Sequence, residues 1–225
     1  MLIAETFTSL QGEGELVGMP SFFIRTSGCN LRCSWCDTPY TSWTPEGTRR
    51  SVTSLVAEAS GSGVRHVVIT GGEPLLQREI GLLTQELACK GLHITVETAG
   101  TVAPEFVCDL LSVSPKTANS DPEGRWLERH RRLRADVGPL RRLIERFPAF
   151  QLKFVVREPG DLDDICRLLK KLPPADSHRV LLMPEGRDPS EVAHTAATVA
   201  ALCLEHGFRY TPRLHLDLFG GRRGA

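Results

Sequence analysis

Short apolar runs rich in β-branched residues alternate with amphipathic stretches along most of the chain, which is the rhythm of βα units and a parallel sheet. The apolar runs predict strands over Ser21 to Thr26, His66 to Thr70, His93 to Glu97, Leu110 to Ser114, Gln151 to Val156, Arg179 to Met183 and Arg209 to Thr211. Helical spacing of apolar residues predicts helices over Val52 to Ser60, Leu75 to Lys90, Leu140 to Phe147, Leu162 to Leu172 and Pro189 to His206. Leu162, Ile165, Cys166, Leu168 and Leu169 mark one such face, with Asp161 placed to cap it, and an Asp-Pro-Ser-Glu start signal opens the helix that stops before Gly207. There are about six βα units, whereas a closed eight-fold barrel takes about 250 residues. The expected fold is therefore α/β, a partial (βα) barrel with an open side, formed by residues 1–225 as one domain. Thr117 to Gly138 breaks the rhythm: it is polar, punctuated by Pro and Gly, and carries Arg125, Arg129, Arg131, Arg132 and Arg134. It reads as an excursion from the sheet, partly helical, that serves as an active-site lid or a dimer contact. A nucleic-acid surface is the weaker reading, since a solvated basic face is commoner.

Composition adds limits rather than detail. With 41% hydrophobic and 24% charged residues, the 225-residue chain can bury a substantial core. Its 27 basic and 27 acidic side chains cancel, which leaves no global field to draw in nucleic acid or an anionic membrane and makes a small molecule the default substrate. Met1 to Leu10 lacks the basic start and apolar run of a signal peptide, and no stretch approaches the ~18 apolar residues of a membrane span. The expected location is a reducing cytoplasm, where clustered cysteines indicate metal binding or catalysis more than disulfides.

Such a cluster is present. Cys29, Cys33 and Cys36 lie in RTSGCNLRCSWCDTPY with CxxxCxxC spacing, which suits a loop. Three thiolates close together suit a soft centre, namely zinc, copper(I) or an iron-sulfur cluster. A closed structural zinc site takes four ligands, and although Asp37 is adjacent, no His or second CxxC pair stands nearby to complete one. A cubane held by three Cys would leave one iron open to an exogenous ligand. The alternatives are three buried small hydrophobes or a redox pair with a spare. Cys89, Cys108, Cys166 and Cys203 stand singly in apolar patterns and are expected in the core.

Further signals fall at predicted strand ends, the rim where ligands bind in βα scaffolds. VVITGGEP places Thr70, Gly71, Gly72, Glu73 and Pro74 just past a strand, and paired glycines let a ligand approach the main chain. A plain strand-to-helix turn with Pro at the helix start explains the same residues. ITVETAGT puts Glu97 and Thr98 at the next strand end, LSVSPK puts Ser114 and Lys116 at the one after, and LLMPEG puts Pro184 to Gly186 after the sixth. Each could be ordinary capping; their recurrence beside a three-Cys loop favours a site.

CxxxCxxC followed by GGEP resembles the radical S-adenosylmethionine (SAM) superfamily. More narrowly, LQGEG at 10–14, FIRTSGCNLRCSWCDTPYTSW at 23–43, ITGGEP, ETAGT and SPK resemble its 7-carboxy-7-deazaguanine synthase family, the CDT triplet and LQGEG setting these apart from glycyl-radical activases. These motifs span residues 10–116; the second half matches mainly in its βα rhythm.

The resemblance implies a lyase that converts 6-carboxy-5,6,7,8-tetrahydropterin to 7-carboxy-7-deazaguanine with loss of ammonia, in 7-deazapurine (queuosine) biosynthesis. It implies a [4Fe-4S] cluster on Cys29, Cys33 and Cys36, with SAM chelating the unique iron. Trp35, Cys36, Asp37, Gly72, Glu73, Glu97, Ser114, Pro115, Lys116, Met183, Pro184, Glu185 and Gly186 would surround SAM. Leu10, Gln11, Gly12, Arg25 and Thr70 would surround the pterin. Arg25 suits a carboxylate-bearing substrate because its planar fork is bidentate, and a strand salt bridge is its ordinary alternative. Thr38 would be a Mg²⁺ ligand, although by itself it reads as a turn residue. Also implied are a flavodoxin- or ferredoxin-type reductant and a homodimer, and no side chain is required as a general base. Met183 stands where many relatives have Gln, and in some relatives the terminal residue, here Ala225, touches the pterin. A related radical enzyme with another substrate, and a non-catalytic electron-transfer or zinc module, are the competing classes.

Overall fold

Nine strands form one open sheet in the computed structural model, which describes residues 1–224. The first is β1 (Leu2–Leu10), antiparallel to β2 (Pro20–Thr26); the short α1 (Pro39–Ser42) and β3 (Thr48–Arg49) lead to α2 (Val52–Gly61). There follow β4 (His66–Gly71), α3 (Ile80–Cys89), β5 (His93–Thr98), β6 (Leu110–Val113), α4 (Leu127–Ala135) and α5 (Gly138–Arg146). The chain ends with β7 (Phe150–Val156), α6 (Asp161–Leu169), β8 (Val180–Pro184), α7 (Pro189–His206), β9 (Arg209–Tyr210) and α8 (Leu214–Phe219). The strand order is β3-β1-β2-β4-β5-β6-β7-β8-β9, and every pair from β2 to β9 is parallel. The edges β3 and β9 do not meet, so the sheet is a barrel left open, as the count of βα units predicts.

Parallel strands covered on both faces read as continuous buried runs, so chemistry rather than exposure distinguishes their two sides. In β7, Leu152, Phe154 and Val156 join the core beneath the helices, while Lys153 and Val155 line the concave side. The same alternation sends Ile69, Val96, Leu111 and Leu182 to the core and Thr70, Glu97, Ser112 and Met183 to the concave face. That face is closed at one end by the turn between β1 and β2. Gly12 accepts a hydrogen bond from the Leu214 amide (2.9 Å), Gly14 donates to Thr211 Oγ1 (2.6 Å), and a Cβ on Gly12 would sit 2.0 Å from the His215 ring. LQGEG thus bridges the two ends of the open sheet.

Several boundaries differ from the sequence expectation. Strand β1 is not predicted because its residues are mostly half-buried and mix Glu and Thr with apolar positions. Helix α3 begins at Ile80, not Leu75, because Pro74–Leu76 forms a separate 3₁₀ turn and the Gln77 side chain pins the chain to Leu2 and Ser27. Asp161 does not cap α6: its carboxylate accepts from the amides of Arg157 (2.7 Å) and Glu158 (3.2 Å), fixing the preceding turn. Of the single cysteines, Cys203 is buried and Cys108 and Cys166 are half-buried, but Cys89 is exposed at the end of α3. No helix among the described residues is long and apolar enough to cross a membrane.

Candidate active site

The cysteine loop is held by the end of β4. Gly72 donates to Thr26 O (3.1 Å), Glu73 to Gly28 O (2.9 Å), and Gly28 to Thr41 O (2.8 Å). A Cβ on Gly71 would lie 2.2 Å from Thr26 O, and one on Gly72 would lie 2.4 Å from Gly28 O. The paired glycines therefore admit the chain's own backbone at its closest approach, just before Cys29. The Glu73 carboxylate is fully buried and accepts from Thr98 Oγ1 (2.7 Å), the Ala99 amide (2.9 Å) and the Leu75 amide (3.1 Å). It ties the ends of β4 and β5 together, and burial raises its pKa against the pull of those donors.

Cys29, Cys33 and Cys36 all line one cleft of about 300 Å³ at the C-terminal ends of the strands. Burial, reinforced at Cys29 by the Glu73 charge and opposed at Cys33 by Lys116, pushes the Cys29 and Cys33 thiols up to about 12. Without a cation both stay protonated, and a metal centre is what would make them thiolates. Among the described residues, no three His, Cys, Asp or Glu side chains converge as a single-ion site does. Three thiols distributed around a cavity instead fit a cluster in which each iron takes one thiolate.

Thr117–Gly138 packs against the outside of this loop rather than forming a lid. Ser34 donates to Ser120 O (3.0 Å), Trp35 Nε1 to Asn119 Oδ1 (3.3 Å), and the Arg32 guanidinium lies 4.7 Å from the Trp126 ring centre. On the cleft side, Lys116 Nζ donates to Ser114 O (2.9 Å) and Oγ (2.7 Å) and faces the Trp35 ring at 5.3 Å.

Of the expected cofactor and substrate residues, Leu10, Gln11, Gly12, Arg25, Trp35, Asp37, Thr38, Thr70, Gly72, Glu97, Ser114, Lys116 and Met183 line the same cleft as the thiols. Glu73, Pro115, Pro184, Glu185 and Gly186 are not in its wall. Arg25 pairs with Glu5 (2.7 Å) and still faces the cleft, so both of its readings hold geometrically. Thr38 precedes α1 but makes no capping bond with its side chain; its hydroxyl lies 3.4 Å from Thr41 Oγ1 and 3.9 Å from Cys36 Sγ. Ala225 lies outside the described residues.

Among the lining residues that the sequence did not single out are Glu13, Lys153, Arg213 and His215. Lys153, 5% exposed, ion-pairs with Glu13 and lies 3.8 Å from Glu97, which accepts from Gln11 Nε2 (3.1 Å). Arg213 pairs with Glu13 (3.2 Å) and Asp37 and donates to Gly186 O. Burial alone would raise the Glu13 and Asp37 pKa values, but Lys153 and Arg213 overcome it at Glu13, and Arg213 does so at Asp37, so both carboxyls are held below their ordinary range. The reverse holds for Lys153 and Arg213, where burial is overcome by the carboxylates and both pKa values rise. Burial lowers His215, with Glu13 opposing it. A Lys at the centre of the apolar run QLKFVV was the one available signal, since an unpaired buried ammonium is costly.

An open (βα) barrel with three thiols on the loop after its first parallel strand is the architecture of a radical enzyme, and the radical SAM superfamily model matches residues 23–153. The chain belongs to that superfamily. The 7-carboxy-7-deazaguanine synthase of Rhodopirellula baltica is 44% identical over 100% of this chain and 89% of its own length, and that of Halobacterium salinarum is 47% identical over 96% and 90%. The crystal structure of QueE from Escherichia coli superposes with a TM-score of 0.70 at 26% identity, covering 95% of this chain and 94% of that one. Within the superfamily, the chain belongs to the 7-carboxy-7-deazaguanine synthase family.

Proposed function

We propose that the protein is a radical SAM lyase that converts 6-carboxy-5,6,7,8-tetrahydropterin to 7-carboxy-7-deazaguanine, releasing ammonia, in 7-deazapurine biosynthesis. The observation that carries this reading is the union of three thiols and a charged wall in one cleft. Cys29, Cys33 and Cys36 hold a [4Fe-4S] cluster and leave one position for SAM. When bound, the cluster and SAM supply one-electron reductive cleavage and hydrogen abstraction from the pterin. The chain itself binds, orients and excludes water. Ser114, Lys116 and Trp35 form the wall beside the thiols, and Gly72 supplies main chain there. Arg25, Gln11 and Thr70 present a cation and neutral hydrogen-bonding groups suited to a carboxylated, amide-rich ring. Glu97 and Met183 complete the cavity between them. Thr38 offers Mg²⁺ a hydroxyl that no cap bond occupies.

The remaining parts of the reading follow from the same chemistry. Residues 1–225 act as one domain, supported by a single sheet and one core that runs from Met1 to Cys203. A flavodoxin- or ferredoxin-type partner supplies the electron, and the protein works in the cytoplasm as a homodimer, without nucleic acid or membrane. Anaerobic reconstitution with iron and sulfide, followed by incubation with the carboxypterin, SAM, Mg²⁺ and a reductant, tests the proposal. Mass spectrometry should detect 7-carboxy-7-deazaguanine from the wild type and none from Cys33→Ala. Cleavage of SAM without that product would indicate another substrate, and zinc without sulfide would end the radical reading.

A further inference from the structure

His130 is 1% exposed on α4, within the segment that interrupts the βα rhythm, and each of its ring nitrogens has a defined partner. The Arg32 amide donates to Nδ1 (3.1 Å), and Nε2 lies 2.9 Å from Ser120 Oγ. The Ser120 hydroxyl donates its own proton to Thr117 O (2.7 Å), so its oxygen is left to accept from the ring. The three bonds run in one direction: Arg32 N–H to Nδ1, Nε2–H to Ser120, and Ser120 O–H to Thr117. Only the neutral ring protonated at Nε2 satisfies all of them. Burial holds the ring in that neutral state, lowering its pKa to about 4 even though Asp121 lies 3.9 Å away.

The consequence falls on the cysteine loop. Arg32 and Ser34 flank Cys33, and both amides are committed to this segment, one through His130 and the other through Ser120 O. Asn119, which receives the Trp35 ring N–H, donates in turn to Val155 O (2.9 Å) and Asp161 (2.9 Å), anchoring the brace to β7 and α6. We propose that His130 is a positioning residue for the cluster, fixing the backbone on the N-terminal side of Cys33 so that the three sulfurs are set before iron binds. The proposal rests on the reading of Cys29, Cys33 and Cys36 as cluster ligands.

Two near-isosteric variants separate this role from general packing. His130→Gln places an amide near Nε2 and keeps the Ser120 contact but gives up the bond from the Arg32 amide. His130→Asn places an oxygen near Nδ1 and keeps that bond but gives up Ser120. Each loses one hydrogen bond, so a purely structural residue would make the two alike. After anaerobic reconstitution, the release of iron to a chelator is followed spectrophotometrically, together with the paramagnetic resonance spectrum of the reduced cluster. His130→Gln should lose iron about tenfold faster than wild type, the scale expected for one lost buried hydrogen bond, and give a broadened spectrum, whereas His130→Asn, which keeps the bond from the Arg32 amide, should stay within about twofold of wild type. Equal release rates for the two variants, whether both normal or both fast, would overturn the proposal. A wild-type chain that takes up no iron and sulfide would instead overturn the ligand assignment beneath it.

Discussion

The concave face of the sheet carries two buried polar layers of opposite character. Toward the strand starts, Ser21, His66 and Thr95 form a neutral chain: Ser21 donates to Met19 O (2.9 Å), leaving its oxygen to accept from His66 Nδ1–H, and Thr95 Oγ1 lies 2.8 Å from Nε2. Toward the strand ends, Glu13 and Glu97 face the buried Lys153 and Arg213, and Asp37 pairs with Arg213 from the exposed rim. The lower layer satisfies each group once with a neutral partner, so it costs little to bury. The upper layer removes full charges from water, which costs several kcal/mol per ion, and apolar residues of similar volume often pack at least as stably. Charges kept on such terms beside a cleft make sense as a wall for a polar ligand, whereas the lower layer needs no ligand to explain it.

Breaking the upper layer should produce the largest effect. Lys153→Met leaves Glu13 without its closest cation, and denaturant unfolding should show a loss of about 3–5 kcal/mol, with turnover abolished. Adding Glu13→Gln should restore much of the stability but none of the turnover; recovery of both would make the pair merely structural.

The lower layer should respond more gently and in stability alone. His66→Gln should cost about 1–3 kcal/mol and leave kcat unchanged in the folded enzyme. Burial, aided by His93 and opposed by Asp109, lowers the His66 pKa from 6.5 to about 4. Between those values the unfolded chain takes up a proton that the folded chain resists. The His66 contribution is therefore present above pH 6.5, falls as the pH drops toward 4, and is absent from the pH profile of His66→Gln. Denaturation series at several pH values on both proteins would reveal it, and parallel profiles would refute it.

The smallest effect belongs to the edge of the charged wall. Thr38→Ala should leave iron content and melting temperature unchanged while raising the Mg²⁺ needed for half-maximal stimulation by about tenfold, the lower end for losing a metal partner. An unchanged Mg²⁺ requirement would remove Thr38 from the metal site.

Much of the site's first half was legible because its residues are local. CxxxCxxC, GGEP, ETAGT and SPK each lie within a few positions on a strand end or its loop, where spacing and turn chemistry report directly on function. The parallel strands were equally legible from their apolar runs. What escaped was long-range. Glu13 and Lys153 are 140 positions apart, and Arg213 and Asp37 are 176 apart, so neither pair leaves a local pattern. Thr117–Gly138 was seen as an interruption, but nothing in its charge pattern shows that His130 and Ser120 grip the cysteine loop 98 and 86 positions away, measured to Arg32 and Ser34.

By itself the sequence determined the class of chemistry and the scaffold: three thiols on one loop, strand ends rich in Gly and polar residues, and a βα rhythm too short to close. Only the tertiary structure decided what surrounds those thiols. Register along the parallel strands selected which alternate residues face inward, and so turned a Lys inside an apolar run into a cleft residue. Packing turned the two glycines of GGEP into a seat for the chain's own loop, and an Arg-rich excursion into the brace behind it. The reason is physical: ligand identity is a property of a few adjacent side chains, whereas burial, charge pairing and the tautomer of a histidine depend on neighbours that only folding brings near.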